Sequence, residues 1–267
     1  MIPYVDLRAE SVVNMVYRLR STGRRYSLFH ADPPWRYSDG GSGKLRGIAR
    51  THYDGLAERD IARHLALTRH IATDNAYMFV WLTMPKLWEW IIQDGIMRAA
   101  GWHGISGAGW GKRQKGVGYH FRGKLELVLL YKHGKPKPLT GAVDNFWQTP
   151  DPIAELLETA IPYWYADRKI HSEKPQIALR DMLAMGAAPG SPVVDFYAGS
   201  RASMARAARA WRATWPAALQ ATDLPCYHGA ELDPARHNEA MALLAQQEIE
   251  LIDPAQPTLY PIQEILI

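Results

Sequence analysis

Asp32-Pro33-Pro34-Trp35 closes an apolar run from Tyr26 to Ala31. The run reads as a short buried strand. Two prolines after an aspartate disfavour both helix and ladder pairing, so the chain must leave the sheet there. That places one carboxylate and a rigid backbone at the carboxyl edge of a sheet, where open α/β sheets bind ligands. These residue types suit an aromatic amine, whose lone pair is delocalised into the ring and whose nitrogen is a poor nucleophile. Asp32 can accept one N–H and the Pro33 carbonyl the other, which favours pyramidal geometry and returns the lone pair to nitrogen. Pro33 and Pro34 fix the direction of that carbonyl. Trp35 offers a flat face on which an extruded base can stack. A Pro-containing turn with no chemical role is the competing reading of the tetrapeptide alone.

A second constellation lies far along the chain. Val193-Val194-Asp195-Phe196-Tyr197-Ala198-Gly199-Ser200 reads as a buried strand running into a tight Gly turn and a helix. In a nucleotide-type fold such a turn lets backbone approach a cofactor closely. Asp195, Tyr197, Gly199, Ser200 and Arg201 are the candidate cofactor contacts here. Arg201 is read equally as gripping a carboxylate or as facing solvent. Glu231 follows the expected next strand, where an acid commonly accepts both ribose hydroxyls; a helix N-terminal acid is its alternative reading. Asp233 suits the capping role better. Lys174, before Pro175, is a donor toward either the cofactor carboxylate or the Asp32 carboxylate. Asp6 is placed at the end of a short first strand, facing a cofactor base.

Between the two lies a basic region. Gly95 through Leu125 contains no Asp or Glu but holds Arg98, Lys112, Arg113, Lys115, Arg122 and Lys124. Trp102, Trp110, Tyr119 and Phe121 are interleaved with many glycines. This suits phosphate contact with base stacking, against a solvated basic face as the alternative. The loop after the tetrapeptide adds Arg36, Lys44, Arg46 and Arg50. Its Gly40-Gly41-Ser42-Gly43-Lys44 is not a P-loop, because Leu45 stands where Ser or Thr is needed. Tyr37, His52 and Tyr53 are expected at the target base.

Strands alternating with helices position these residues. Helices are expected at Ser11 to Arg20, Glu58 to Leu67, Lys86 to Ala100, Pro175 to Met185, Ala202 to Trp211 and Pro234 to Gln247, with Arg206, Arg209 and Arg212 on a separate face of the fifth. Buried strands are expected at Ala76 to Leu82, Leu125 to Tyr131 and Val193 to Tyr197, and another segment at Cys226 to Leu232. Gly134 to Tyr165 is broken by prolines and gives no pattern. The expectation is one α/β domain over 1–267, a mostly parallel sheet with helices on both faces, and substrate loops at about 36–53 and 101–124.

The chain has 267 residues, 47% hydrophobic, with net charge +4 and ten tryptophans. That allows a full core and only mildly favours a polyanionic partner. No apolar run approaches the roughly 18 residues of a membrane helix. Met1 to Asp6 carries no secretory pattern. Cys226 is the single cysteine, which excludes an internal disulfide and the usual zinc fingers. A cytoplasmic protein without a metal is expected. The tail from Asp253 to Ile267 is read as docking on its own core or on a second subunit, which would make a homodimer.

The tetrapeptide, then Thr51-His52-Tyr53, then Ala76 to Thr83 resemble the MT-A70 family of adenine N6-methyltransferases. The likeness continues through Gly118 to Arg122, Glu126 to Leu130 and Ser172-Glu173-Lys174-Pro175, covering about Ala31 to Met241. It departs at Arg201, where many relatives have a second Gly. The resemblance implies a Rossmann-like methyltransferase sheet, S-adenosylmethionine as cofactor and a nucleic-acid adenine as acceptor, whose nitrogen attacks the sulfonium methyl in line. The tetrapeptide precedes the Gly turn, so the motif order is permuted and the two halves must meet in the sheet. A chain with no added RNA-binding module suggests DNA. An RNA enzyme and an inactive nucleic-acid-binding partner are the alternatives. Cytosine amino-methylation is less expected, since such enzymes more often carry Ser-Pro-Pro-Tyr-like motifs.

Overall fold

The computed structural model describes residues 4–37, 55–112, 121, 123–148 and 174–246. Its strands are β1 (Val5–Arg8), β2 (Tyr26–Ala31), β3 (Ala72–Thr83), β4 (Trp102–Gly111), β5 (Leu125–His133), β6 (Phe146–Gln148), β7 (Val193–Asp195) and β8 (Tyr227–Ala230). They form one eight-stranded sheet in the order β1-β8-β7-β2-β3-β5-β4-β6. β1 through β3 in that order are parallel, while β5 runs antiparallel to both β3 and β4. β6 pairs parallel with β4.

Both faces are covered, which is why β3 reads as continuous apolar sequence from Ala76 to Leu82. Tyr77, Phe79 and Trp81 point to one core and Met78, Val80 and Leu82 to the other, as the strand period of two requires. The first core takes α5 (Gln176–Gly186), α6 (Ser203–Arg212) and α8 (Pro234–Gln246). The second takes α1 (Val12–Ser21), α2 (Glu58–Ala66), α3 (Met84–Ile91) and α4 (Asp94–Ala99). α1 shows the logic at its simplest: Ser11 caps it by accepting the Asn14 N–H, and Val12, Met15, Val16 and Leu19 form its buried stripe. A short helix, α7 (Ala217–Gln220), precedes β8.

The strand that carries Asp32 and the strand that carries the Gly turn are neighbours. Leu28, Phe29 and His30 pair with Val193, Val194 and Asp195. From β7 the chain passes to β8 on one side; from β2 it passes to β3 on the other. This reversal opens a crevice at the carboxyl ends of β7 and β2.

Several expectations are corrected. The single helix over Lys86 to Ala100 is two, α3 and α4, because the chain turns at Gln93 to bury Met97. Residues 102–111, expected within a substrate loop, are strand β4, and Trp102 and Trp110 are core residues. The glycines of this stretch serve close packing: a Cβ at Gly107 would lie 3.1 Å from the Val128 carbonyl, and one at Gly111 3.0 Å from the Phe146 ring. Arg212, expected on a face separate from the inward one, is itself buried; it donates to the Gln220 and Thr222 carbonyls and lies 3.5 Å from the centre of the Tyr4 ring.

Candidate active site

Sheet topology brings the chemistry to one edge. Asp32 leaves β2, Tyr197 to Gly199 leave β7, and Glu231 leaves β8. β5 is antiparallel, so its start lies at this same edge: Glu126 is opposite Thr83, near the end of β3. β4 runs back toward it, and Lys112 follows its last residue.

Asp32 and Glu126 are joined through lysines. Lys174 Nζ lies 2.7 Å from Asp32 Oδ2 and 3.1 Å from Glu126 Oε2. Lys112 Nζ lies 2.8 Å from Glu126 Oε1. The charges alternate along the run Asp32, Lys174, Glu126, Lys112. Lys174 is buried and also sits 5.2 Å from the centre of the Trp81 ring. Burial pushes the Asp32 carboxyl above the ordinary aspartate value; Lys174 opposes this rise and Glu126 adds to it. Burial acts on Glu126 in the same direction, but Lys174 and Lys112 outweigh it, and that carboxyl is held below its ordinary value. Burial disfavours charged Lys174, yet the two carboxylates prevail and raise its pKa. Asp32 alone of the three keeps an appreciably open side chain, 29% exposed against 7% for Lys174 and 9% for Glu126.

The tetrapeptide is fastened within itself and to Leu56. The Trp35 N–H donates to the Pro33 carbonyl at 2.9 Å, and the Leu56 N–H to the Pro34 carbonyl at 2.7 Å. Gly55 is required by close approach: a Cβ there would stand 2.5 Å from Arg36 Cα. The Tyr37 hydroxyl is 2.8 Å from Thr83 Oγ1.

On the other side of the crevice, Gly199 has φ +64 and Ala202 φ +46, both left-handed. Ala202, the residue after Arg201, thus holds the conformation that favours glycine, immediately before α6. The Gly199 N–H donates to Glu231 Oε2 at 2.9 Å, and the Asp233 N–H to Oε1 at 3.0 Å. Burial raises the Glu231 carboxyl, against the pull of these two N–H groups. Asp233 caps α8 by accepting the Ala235 N–H at 2.9 Å. Ser200 and Arg201 are partly exposed in the same turn. The Tyr197 hydroxyl contacts His64 Nδ1 at 3.1 Å.

Four expected roles do not fit these placements. Trp35 is 4% exposed, its Nε1–H donates to the Trp81 carbonyl, and its ring meets Trp90 edge-on. It wedges the turn into the core and has no open face for a base. Asp6 lies inside β1, not at its end, and its carboxylate is taken by Arg8, Arg18 and His228. The Asp195 carboxylate is turned into the interior, where its oxygens pair with His30 and Tyr227, and not toward the crevice where the cofactor contact was expected. The Lys112 ammonium is paired with Glu126 rather than held open for a phosphate. Lys44, Arg46, Arg50, His52, Tyr53, Arg113, Lys115 and Arg122 lie outside the described residues.

His30 stands outside every motif, and Glu126 falls inside the stretch of likeness from Glu126 to Leu130 without a role being expected of it. Each is a buried polar residue between two apolar neighbours, Phe29 and Ala31 or Leu125 and Leu127, a signal that burial must be matched by a partner. Among the described residues no group of side chains is arranged to hold a metal, and no helix is long and apolar enough to cross a membrane.

No protein-family profile matches the chain, and no curated protein matches it in sequence. Solved structures do match it in shape. The M1.HpyAVI complex with SAM aligns over 90% of this chain and 99% of its own, with TM-score 0.60 and 10% identity. PvuII DNA methyltransferase, which is cytosine-N4-specific, aligns over 98% and 92%, with TM-score 0.59 and 12% identity. TTHA0409 of Thermus thermophilus, complexed with S-adenosyl-L-methionine, aligns over 91% and 93%, with TM-score 0.54 and 12% identity. The chain has a methyltransferase fold. The eight-stranded α/β sheet and its flanking helices are therefore those of the methyltransferase architecture expected from the motifs.

Proposed function

We propose that the chain is an S-adenosylmethionine-dependent methyltransferase acting on the N6 amino group of adenine in DNA. The observation that carries this reading is the placement of Asp32. It stands at the switch point of a methyltransferase fold, one strand from the Gly199 turn, with its carboxylate anchored by Lys174.

The cofactor side fits the donor. The left-handed Gly199 turn leaves open space beside it, and the Glu231 carboxylate faces that turn. Each Glu231 oxygen accepts one backbone N–H and keeps a further lone pair for a ribose hydroxyl. Arg201, Ser200 and Tyr197 line the same turn. When bound, S-adenosylmethionine supplies an electrophilic methyl group. The protein's own part is to hold the amine. Asp32 accepts one amino N–H, and the Pro33 carbonyl, already holding the Trp35 N–H, uses its second lone pair for the other. Lys174 keeps the carboxylate oriented, so less freedom is lost when the amine docks. Tyr37, beside Thr83, borders the acceptor side. The basic residues of 38–54 and 113–122 would meet phosphates.

A cytosine N4 amine presents the same pair of N–H groups, and the likeness to the PvuII enzyme favours that second reading. The Asp-Pro-Pro-Trp type of the tetrapeptide favours adenine. Incubation with labelled cofactor and matched DNA and RNA, followed by nucleoside analysis, separates the readings. N6-methyladenine from DNA supports the proposal; N4-methylcytosine, or label confined to RNA, overturns it.

A further inference from the structure

Beneath the crevice, four interior side chains form one polar rung across four adjacent strands. The Trp81 Nε1–H, on β3, donates to His30 Nε2, on β2, at 2.9 Å. His30 Nδ1 lies 2.9 Å from Asp195 Oδ1, on β7. The Tyr227 hydroxyl, on β8, donates to Asp195 Oδ2 at 2.9 Å. The rung continues into the tetrapeptide, because the Trp81 carbonyl accepts the Trp35 indole N–H at 3.0 Å. All four side chains are buried.

The direction of every bond follows from chemistry. An indole N–H only donates, so His30 Nε2 must be bare and accept. The imidazole proton is therefore on Nδ1 and is donated to Asp195. Apolar side chains would fill this face without the cost of burying a carboxylate and an imidazole. The backbone link between the halves is short, since β7 is three residues long and contributes just those residues to its pairing with β2. His30 is two residues before Asp32, and Tyr227 is four before Glu231.

We infer that His30 and Asp195 are positioning residues that hold the donor side of the crevice, β7 and β8, against the acceptor side, β2 and β3. This rests on the reading of Asp32 and Glu231 given above. A displacement of even about 1 Å between reacting groups can cost about a hundredfold in rate. The rung therefore acts on turnover and not on the contacts of either ligand.

Two measurements test it. Long-range proton–nitrogen NMR on protein labelled at its histidines should show His30 as the Nδ1–H tautomer; the Nε2–H form would overturn the rung without reference to activity. In steady-state kinetics, His30→Leu should lower kcat by about thirtyfold or more while the donor KM moves less than about threefold. Asp195→Asn can keep both hydrogen bonds, and should stay within about fivefold of wild type. Should His30→Leu fail to fold, Tyr227→Phe, which deletes one hydroxyl, should show the same split at about three- to tenfold. An unchanged kcat in the folded variant contradicts the inference. A wild type that transfers no methyl group would defeat the functional reading instead, and the tautomer would still decide the rung.

Discussion

Asp32 carries opposing demands: it must be charged to accept an amine N–H, and burial makes that charge costly. The acid limb of kcat/KM should therefore lie above the ordinary aspartate value of about 3.9. Lys174 lowers the Asp32 pKa, so Lys174→Met should shift that limb to higher pH. A pH profile of the two proteins checks this, and an unmoved limb would detach Lys174 from Asp32. On the donor side, Glu231→Ala should weaken cofactor binding by about 1.5–3 kcal/mol, measured by calorimetry, because ribose hydroxyls lose a charged acceptor. Asp32, Lys174 and Glu231 are readable in the sequence because each follows or precedes a recognisable strand, turn or proline. For Asp6, Asp195 and Trp35 the sequence indicates the region but not the neighbours. Sequence position indicates a strand end; it does not say that Arg18, from a helix, and His228, more than two hundred residues away, close on Asp6.

Elements explain the rest of the site. β5 begins where β3 ends, and this antiparallel return delivers Glu126 toward Asp32, while the end of β4 brings Lys112 to Glu126. No spacing rule links Asp32 to Glu126, which is why the charge run is invisible in the sequence. β4 is hidden for a related reason: its glycines look like loop punctuation, yet they let the strand lie close to Val128 and Phe146. The consequence is testable. Lys112→Ala should leave the salt dependence of DNA binding unchanged and cost about 1.5–3 kcal/mol of stability, read by denaturant unfolding, since it strips a charged hydrogen bond from buried Glu126. Replacing Arg113 and Lys115 by Ala should instead flatten the slope of log affinity against log salt by about 0.7–0.9 per residue, if both meet phosphate. A flattened slope for Lys112→Ala would restore it to the phosphate contacts.

At the scale of the molecule, a permuted order is reconciled by sheet pairing: residues near 30 and near 195 are neighbours. Alternating strands and helices make the α/β class legible, and the Gly turn and tetrapeptide together make the permutation legible. The order of the outer strands is not, because edge pairing depends on contacts that leave little periodicity. Stability should follow the buried carboxylates. Burial raises the Asp6 carboxyl, but His228, Arg8 and Arg18 outweigh it and hold it well below the ordinary range. Glu126 is also lowered. A depressed acid stabilises the fold above its unfolded pKa, and that contribution is lost as pH falls through the folded value. The melting temperature should therefore drop below about pH 4, and less steeply for Asp6→Asn. The central claim is that Asp32 holds the acceptor amine and takes no part in donor binding. The most direct measurement is labelled-methyl transfer to adenine-containing DNA by wild type and Asp32→Ala, with donor affinity measured on the same preparations. The account predicts N6-methyladenine from wild type, at least about a tenfold loss of rate in the variant, equivalent to roughly 1.4 kcal/mol or more in barrier, and unchanged donor affinity. A variant that retains its rate, or that loses donor binding in proportion, would contradict it.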